Sequence, residues 1–174
     1  MDFSLSASHE MAKKLFRDFS QKEIKILAQE IDEQERFPVE SVEKMARYGF
    51  MGIPFPESFS GQGADNLTYI LAVEELSKVC GTTGVILSAH TSLCASPIYE
   101  FGTQSQKEKY LPALCSGKAI GAFGLTEANA GTDASAQQTV AIKKEDHYLI
   151  NGSKIFITNA GYADIYIIMA MTDP

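Results

Sequence analysis

Two short stretches of this sequence combine residue types that could bind a ligand. The first, residues 122–133, is an apolar run leading into a loop that contains Thr126 and Thr132. Gly124 and Gly131 weaken a helix here, and the Thr, Asn and Asp side chains compete for its backbone groups. We interpret the stretch as a strand end that opens onto an exposed turn. Such a surface suits a planar, acceptor-rich ring better than a bare phosphate, which usually binds at a glycine-rich helix N-terminus.

The second stretch, residues 156–161, repeats this chemistry with an aromatic residue, a hydroxyl and a turn. Phe156 could form an apolar wall, and Thr158 could donate a hydrogen bond to the polar edge of a ring. Taken alone, the first stretch is explained by a polar turn and the second by a strand, with no ligand needed. Both together, in this order, favour a binding site for a flat ring.

Both stretches resemble the flavin-contacting segments of the acyl-CoA dehydrogenases. The resemblance covers nearly the whole chain and includes residues 84–94, 101–104 and 151–154. It points to the bacterial short-chain, or butyryl-CoA, branch of the family. Two positions depart from the family pattern. Ala128 stands where proline usually follows Thr-Glu, and Phe156 stands where many members have tryptophan.

The resemblance implies a flavoenzyme that removes two hydrogens from adjacent carbons of an acyl-CoA substrate. The expected cofactor is FAD, which carries the redox chemistry while the protein positions it. The expected electron acceptor is an electron-transferring flavoprotein, and the expected assembly is a homo-oligomer, a homotetramer in the family. By match to the family motif, Thr132 also contacts the CoA substrate. The implied flavin-contacting residues are Phe123, Leu125, Thr126, Thr132, Phe156, Ile157 and Thr158.

Glu127 lies in the first loop, where a carboxylate could act as a general base. The resemblance argues against that role, because the family's base is a glutamate in the C-terminal part, beyond these residues. The family's pyrophosphate and adenine contacts also lie largely beyond them. We therefore expect no catalytic residue in this chain. The isolated chain is expected to bind FAD weakly or not at all and to turn over no acyl-CoA.

The expected substrate is a short acyl-CoA. Residues 85–98, apolar nearly all round, resemble the helix that floors the family's acyl pocket. Their spacing matches the short-chain members and indicates a C4-like substrate such as butyryl-CoA.

Three functions are open at this point. The first is a short-chain acyl-CoA dehydrogenase. The second is an acyl-CoA oxidase or a flavin-dependent monooxygenase of the same fold, and the third is a non-catalytic binding or assembly fragment.

The composition indicates a soluble, cytoplasmic protein. Hydrophobic residues make up 45% and charged residues 21% of the 174 residues, which is ordinary for a globular chain. The net charge of -7 argues against nucleic-acid binding. The longest apolar run, residues 165–171, is strand-sized, so no membrane span is expected. Residues 1–3 do not read as a signal or transit peptide.

The cysteines of this chain are three in number and widely spaced, at Cys80, Cys94 and Cys115. They are interpreted as small buried hydrophobes in a reducing compartment, and no metal site is expected.

Helical periodicity dominates the first two thirds of the chain. The first helical stretch is expected over residues 8–35, where Ser20 could divide it into two helices. A second helix is expected from Pro38 to Gly49, and a third after an N-cap at Asp65 or Asn66. A fourth is expected to begin at Thr82 or Thr83, and a last one after a capping box at Thr103. Val39, Val42, Met45 and Ala46 are expected on the inner face of the second helix, and Tyr69, Ile70, Val73 and Leu76 on that of the third. His90 is expected to be a hydrogen-bonded core residue.

The period changes to that of strands after Gly117. Strands are expected over residues 120–125, 138–142, 147–150, 154–157 and 165–171, with a hairpin turn at Asn151-Gly152. The predicted class is α+β: an N-terminal helical domain, residues 1–118, followed by the first part of an antiparallel β-sheet domain, residues 119–174. In the family, the sheet domain continues and a helical bundle follows, so the chain is expected to be an N-terminal portion.

Overall fold

The computed structural model describes residues 4–173, and the expectation for residues 1–3 lies outside them. A helical part comes first and a small β part follows, which confirms the predicted class. The helices are α1 (Ala7–Phe19), α2 (Lys25–Glu33), α3 (Val39–Arg47), α4 (Asn66–Ser77), α5 (Gly81–Ser88), α6 (Ser96–Phe101) and α7 (Gln104–Cys115). The strands are β1 (Gly121–Gly124), β2 (Val140–Lys143), β3 (Tyr148–Asn151) and β4 (Ile165–Ile168).

Two wider, π-helical turns join neighbouring α-helices into longer rods. Ser20–Ile24 joins α1 to α2, so the predicted break at Ser20 is a bulge within a continuous helix. Ala89–Ala95 joins α5 to α6 and lies directly against β1. Short 3₁₀ turns occupy Phe50–Gly52, Glu57–Phe59 and Ala134–Ala136.

The predicted caps are present because they depend on local chemistry. The Asp65 carboxylate accepts a hydrogen bond from the Thr68 N–H at 2.8 Å, and Thr103 forms a capping box with Gln106. Gly49 follows α3 with φ at 77°, as a left-handed residue after a helix should. Helix α5 begins at Gly81, ahead of the predicted Thr82.

The inner faces of two helices were predicted with errors. Val42 and Met45 of α3 are buried, but Val39 is 43% exposed. Tyr69 and Leu76 of α4 are buried, whereas Ile70 is 53% exposed. By helical periodicity, Val39 and Ile70 each lie on the apolar face of their helix. The core that packs against each helix covers only part of that face, so these two side chains stay exposed.

Helices α1 to α5 surround one core cluster, and α6 and α7 surround a second that Ile165 and Ile167 of β4 complete. Strand β1 runs against the Ala89–Ala95 turn. A Cβ atom added at Gly121 would lie 2.5 Å from the Cys94 Cβ, so only glycine permits this approach. Strands β1 and β4 are therefore held by the helical part and not only by each other.

The sheet prediction needs one correction in pairing. Strands β2 and β3 are antiparallel as predicted, but β1 and β4 are parallel, with Gly121 opposite Ile165. A parallel pair needs a long crossover connection, and residues 125–164 supply it. The hydrophobic pattern within each strand does not indicate which distant strand it pairs with.

The predicted strand at residues 154–157 and the predicted hairpin turn at Asn151-Gly152 are both wrong. Residues 152–157 are irregular, and the hairpin turn lies before β3, where the Lys144 N–H donates to the His147 carbonyl at 2.8 Å. Phe156 has φ at 55°, which no strand residue adopts. Contacts of Lys154, described below, override the strand pattern.

Between residues 4 and 173, no helix is long and apolar enough to cross a bilayer. In the same range, no group of three or more His, Cys, Asp or Glu side chains is arranged to hold a metal ion. All three cysteines are free and buried, and burial raises the pKa of the Cys94 thiol to about 11 and that of Cys115 to about 12.

Candidate functional site

The two predicted ligand-binding stretches meet at one groove of about 290 Å³. One wall comes from β1 and the residues after it, the other from residues 156–158, and the floor from the π-helical turn of the α5–α6 rod. The lining residues are Ala89, Leu93, Phe123, Leu125, Thr126, Phe156 and Thr158. The structure thus brings together five of the seven residues predicted to contact a ring.

The remaining two predicted residues lie elsewhere. Ile157 points to the other side of its segment, where its Cδ1 atom lies near Gly124. Thr132 is exposed and does not line the groove. The tight turn at Glu127 to Ala130, closed by hydrogen bonds of 2.9 and 3.2 Å, separates Thr132 from Thr126.

Two hydroxyl groups of the groove are available to a ligand. Within residues 4–173, neither the Thr126 nor the Thr158 hydroxyl has a hydrogen-bond partner. A hydroxyl can both donate and accept, so the two can pair with the polar edge of a flat ring. Phe123, Leu125 and Leu93 supply apolar surface beside them.

Phe156 is held in an unusual way. Its side chain is 87% exposed, and its backbone lies in the left-handed region with φ at 55°. A non-glycine residue in this region is strained by about 1–3 kcal/mol, and such strain concentrates at binding sites. Since Phe156 has no ring partner within the described residues, the fold displays this aromatic face instead of packing it.

The two walls of the groove are connected by hydrogen bonds. The Ile155 N–H donates to the Thr126 carbonyl at 2.8 Å, and Lys154 Nζ donates to the Leu125 carbonyl at 2.8 Å. Lys154 Nζ also lies 2.7 Å from Glu127 Oε1, and only 5% of the lysine and 9% of the glutamate side chain are exposed.

The Glu127 carboxylate is fully engaged. Its Oε1 atom accepts from Lys154 and from the Thr139 N–H, and its Oε2 atom accepts from the Gln138 N–H at 2.7 Å. The Lys154 ammonium, followed by Thr139 and Gln138, lowers the pKa of Glu127 to about 2. A carboxylate this acidic and this well satisfied is a poor general base at neutral pH.

The segment after the groove is fixed by Asn159. This residue has φ at 71°, and its Nδ2 donates to the Gly121 carbonyl at 2.9 Å. The Gly121 N–H in turn donates to His90 Nδ1 at 3.0 Å. His90 is wholly buried, and that burial lowers its pKa to about 4. His90 is therefore the hydrogen-bonded core residue that was predicted.

Sequence reasoning missed Lys154, because a lysine in an alternating run reads as a solvent-facing strand residue. Its sequence signal was weak: Lys154 directly precedes the apolar residues Ile155 and Phe156, and its acidic partner Glu127 lies far away in the chain. Ala89 and Leu93 were foreseen only as parts of the apolar helix.

Comparison with known families agrees with this architecture. Residues 6–118 match the acyl-CoA dehydrogenase N-terminal domain, and residues 122–174 match the acyl-CoA dehydrogenase middle domain. The chain belongs to the acyl-CoA dehydrogenase family.

Among its relatives is the short-chain specific acyl-CoA dehydrogenase of Clostridium acetobutylicum, which is 64% identical over 99% of this chain and 46% of the relative. The chain thus spans about half the length of the curated relatives it matches.

Solved structures resemble the chain over a similar span. A chain in the structure of the electron transferring flavoprotein of Acidaminococcus fermentans has a TM-score of 0.95 and 53% identity, covering 99% of this chain and 46% of that one. Butyryl-CoA dehydrogenase from Megasphaera elsdenii has a TM-score of 0.93 and 49% identity, covering 100% and 46%. An acyl-CoA dehydrogenase complexed with FAD, from Bacillus anthracis, has a TM-score of 0.88 and 34% identity, covering 96% and 29%.

Proposed function

We propose that this chain forms the flavin-facing part of an FAD-dependent acyl-CoA dehydrogenase for short-chain thioesters such as butyryl-CoA. The observation that carries the proposal is the convergence of Phe123, Leu125, Thr126, Phe156 and Thr158 on one groove. These residues come from two separate stretches, and the family motif assigns flavin contacts to both. Relatives named for short-chain and butyryl-CoA substrates support the substrate class.

The groove fits one flat ring system. Its volume of about 290 Å³ lies just below that of most small-molecule sites, which run from about 300 to 1,000 Å³. Two unpartnered hydroxyls and a displayed aromatic face match a tricyclic ring with a polar edge. A whole dinucleotide needs further contacts, which agrees with the expectation that this chain alone binds FAD weakly.

Each residue has a role of its own in this proposal. Thr126 and Thr158 hydrogen-bond the polar edge of the ring, and Phe156 covers its face. Phe123 and Leu125 exclude water from the apolar side. FAD, when bound, supplies the acceptor for hydride from the substrate's β-carbon. Ile157 and Thr132 remain proposed contacts, Thr132 toward the CoA substrate, although neither lines the groove here.

Further proposals concern the complete protein. We propose that the carboxylate base lies outside residues 1–174, that electrons pass to an electron-transferring flavoprotein, and that the protein is a cytoplasmic homo-oligomer, a homotetramer as in the family. We also propose that the helical and sheet domains divide between residues 118 and 119. The structure of an electron transferring flavoprotein contains a chain that is similar to this one, which supports the choice of acceptor.

The test uses a complete enzyme made by joining residues 1–174 to the C-terminal remainder of the 64% identical clostridial relative. We call it the completed enzyme. It is expected to purify yellow with stoichiometric flavin, to be bleached anaerobically by butyryl-CoA, and to pass electrons to an electron-transferring flavoprotein. Residues 1–174 alone should show neither stoichiometric flavin nor turnover. A colourless completed enzyme, or one that reduces oxygen faster than the flavoprotein, would contradict the proposal.

A further inference from the structure

The buried ion pair between Glu127 and Lys154 has no part in the proposed chemistry, yet it lies immediately behind the groove. Glu127 directly follows Thr126, and Lys154 precedes Phe156 by two positions. Each member of the pair therefore belongs to the same short segment as a residue of one wall. The two Nζ hydrogen bonds of 2.7 and 2.8 Å, to Glu127 and to the Leu125 carbonyl, join those segments directly.

The surroundings leave this pair little freedom to move. Lys154 Nζ makes a third hydrogen bond, to Gln137 Oε1 at 3.1 Å, so all three of its donors are used. A Cβ atom added at Gly152 would lie 2.3 Å from Thr139 Oγ1, so the segment leading to Lys154 presses against Thr139, whose N–H also donates to Glu127. The pair is thus held from both sides.

We propose that Glu127 and Lys154 are positioning residues that set the separation of the two groove walls, and with it the placement of the ring against Thr126, Phe156 and Thr158. This inference rests on the proposed function, because the positioned object is the flavin ring. Breaking a buried pair leaves an uncompensated charge, and the walls then relax by different amounts. A misplacement of about 1 Å can cost on the order of 100-fold in rate.

The decisive variant is Lys154→Met in the completed enzyme, which removes the ammonium and keeps the length of an apolar stem. Its matched control is Lys144→Met, which removes an exposed lysine from the β2–β3 turn. FAD content, the visible flavin spectrum, the reduction potential, and kcat and KM for butyryl-CoA are measured, with kcat expressed per bound flavin. Thermal unfolding is recorded in parallel.

For Lys154→Met, we expect an altered flavin spectrum and potential, and a loss of kcat per bound flavin of about 10- to 100-fold. KM should change less than about threefold, since the loss lies in orientation rather than in substrate binding. Glu127→Gln should behave similarly, and the double variant should lose no more than the worse single variant, because both changes break one link. Lys144→Met should match the parent protein.

Three results would overturn the inference. The first is a Lys154→Met enzyme that unfolds at lower temperature but keeps the parent's spectrum, potential and kcat per bound flavin, which would assign the pair a stabilising role only. The second is an additive loss in the double variant, and the third is an equal effect of Lys144→Met. If Lys154→Met does not fold, Lys154→Gln, which keeps one donor for the Leu125 carbonyl, is measured against the same criteria. Failure of the proposed function is distinct, because the parent completed enzyme would then already lack flavin or turnover.

Discussion

Phe37 and Tyr162 stack face to face, with their ring centroids 4.0 Å apart and their planes 9° from parallel. Phe37 lies between α2 and α3, and Tyr162 lies in the turn just beyond Thr158 and Asn159. The stack ties the segment that carries one groove wall to the helical part of the molecule. It complements the hydrogen bonds of Asn159, which hold the same segment from its buried side.

This stack should stabilise the fold in a way that depends on the ring alone. Tyr162→Ala is expected to lower the free energy of unfolding by about 0.5–1.5 kcal/mol beyond the loss of buried area. Tyr162→Phe keeps the ring and should be nearly neutral. Urea unfolding of residues 1–174 measures both variants. Equal destabilisation by both would show that the hydroxyl, not the ring stack, contributes.

Thr158 should influence the flavin more than the fold. Thr158→Val deletes the proposed hydrogen bond to the ring, and such a bond is worth about 0.5–1.5 kcal/mol net. The completed enzyme with this change is expected to have a shifted flavin reduction potential or weaker FAD retention, at an unchanged unfolding temperature. Thr82→Val, at an exposed threonine of α5, is the matched control. Unchanged potential and retention in Thr158→Val would remove Thr158 from the site.

The substrate preference should favour four carbons over eight. In the completed enzyme, kcat/KM for butyryl-CoA is expected to exceed that for octanoyl-CoA. Each additional buried CH₂ would gain about 0.8 kcal/mol if space existed, so a longer chain is rejected only where the pocket closes. Steady-state kinetics with both thioesters decides this, and a higher value for octanoyl-CoA would show that the pocket does not close.

His90 should make stability fall on the acid side of neutrality. Its folded pKa of about 4 lies below the ordinary value of 6.5, so the unfolded chain binds the proton more tightly. The contribution is present above about pH 6.5 and is lost as the pH falls toward 4, at up to about 1.4 kcal/mol per pH unit. Urea unfolding from pH 7.5 to 4.5 measures this slope. His90→Gln, which retains an acceptor for the Gly121 N–H, should flatten it.

The Glu127 carboxylate should affect the stability of the fold at a lower pH than His90 does. Its folded pKa of about 2 lies below the ordinary 4.5, so its contribution is present above about pH 4.5 and is lost as the pH falls through 2. Asp65, whose pKa is lowered to about 2 chiefly by the Thr68 N–H, titrates in an overlapping range. Thermal unfolding between pH 5 and 2 should therefore be less steep in Glu127→Gln and in Asp65→Asn than in the parent chain. An unchanged slope in Glu127→Gln would mean that the carboxylate is not held as described.

The features that sequence reasoning predicted correctly are those decided within a few residues. The Asp65 cap and the Thr103 capping box depend on side chains three positions from their partners, so their chemistry is legible in the chain itself. The residues proposed to face the ring were inferred from a family resemblance, and five of them line one groove in the structure. Periodicity alone would not have joined residues 123 and 158.

The errors come from contacts between distant parts of the chain. The run at residues 154–157 alternates like a strand, but the buried partner of Lys154 lies in another loop and draws the backbone out of extension. The parallel pairing of β1 with β4 is likewise set by a crossover that neither strand encodes. Val39 and Ile70 fit the apolar stripes of their helices, and only the shape of the assembled core leaves them in solvent.

The π-helical turn at Ala89–Ala95 holds about one residue more than an α-helical segment of the same rotation. Deleting one residue there would restore ordinary winding and leave the rod beyond the turn in nearly its present direction. The displaced residues would be those inside the turn, among them Leu93 on the floor of the groove and Cys94 beside Gly121. The extra residue of this turn therefore shapes the floor of the groove and not the course of the rod.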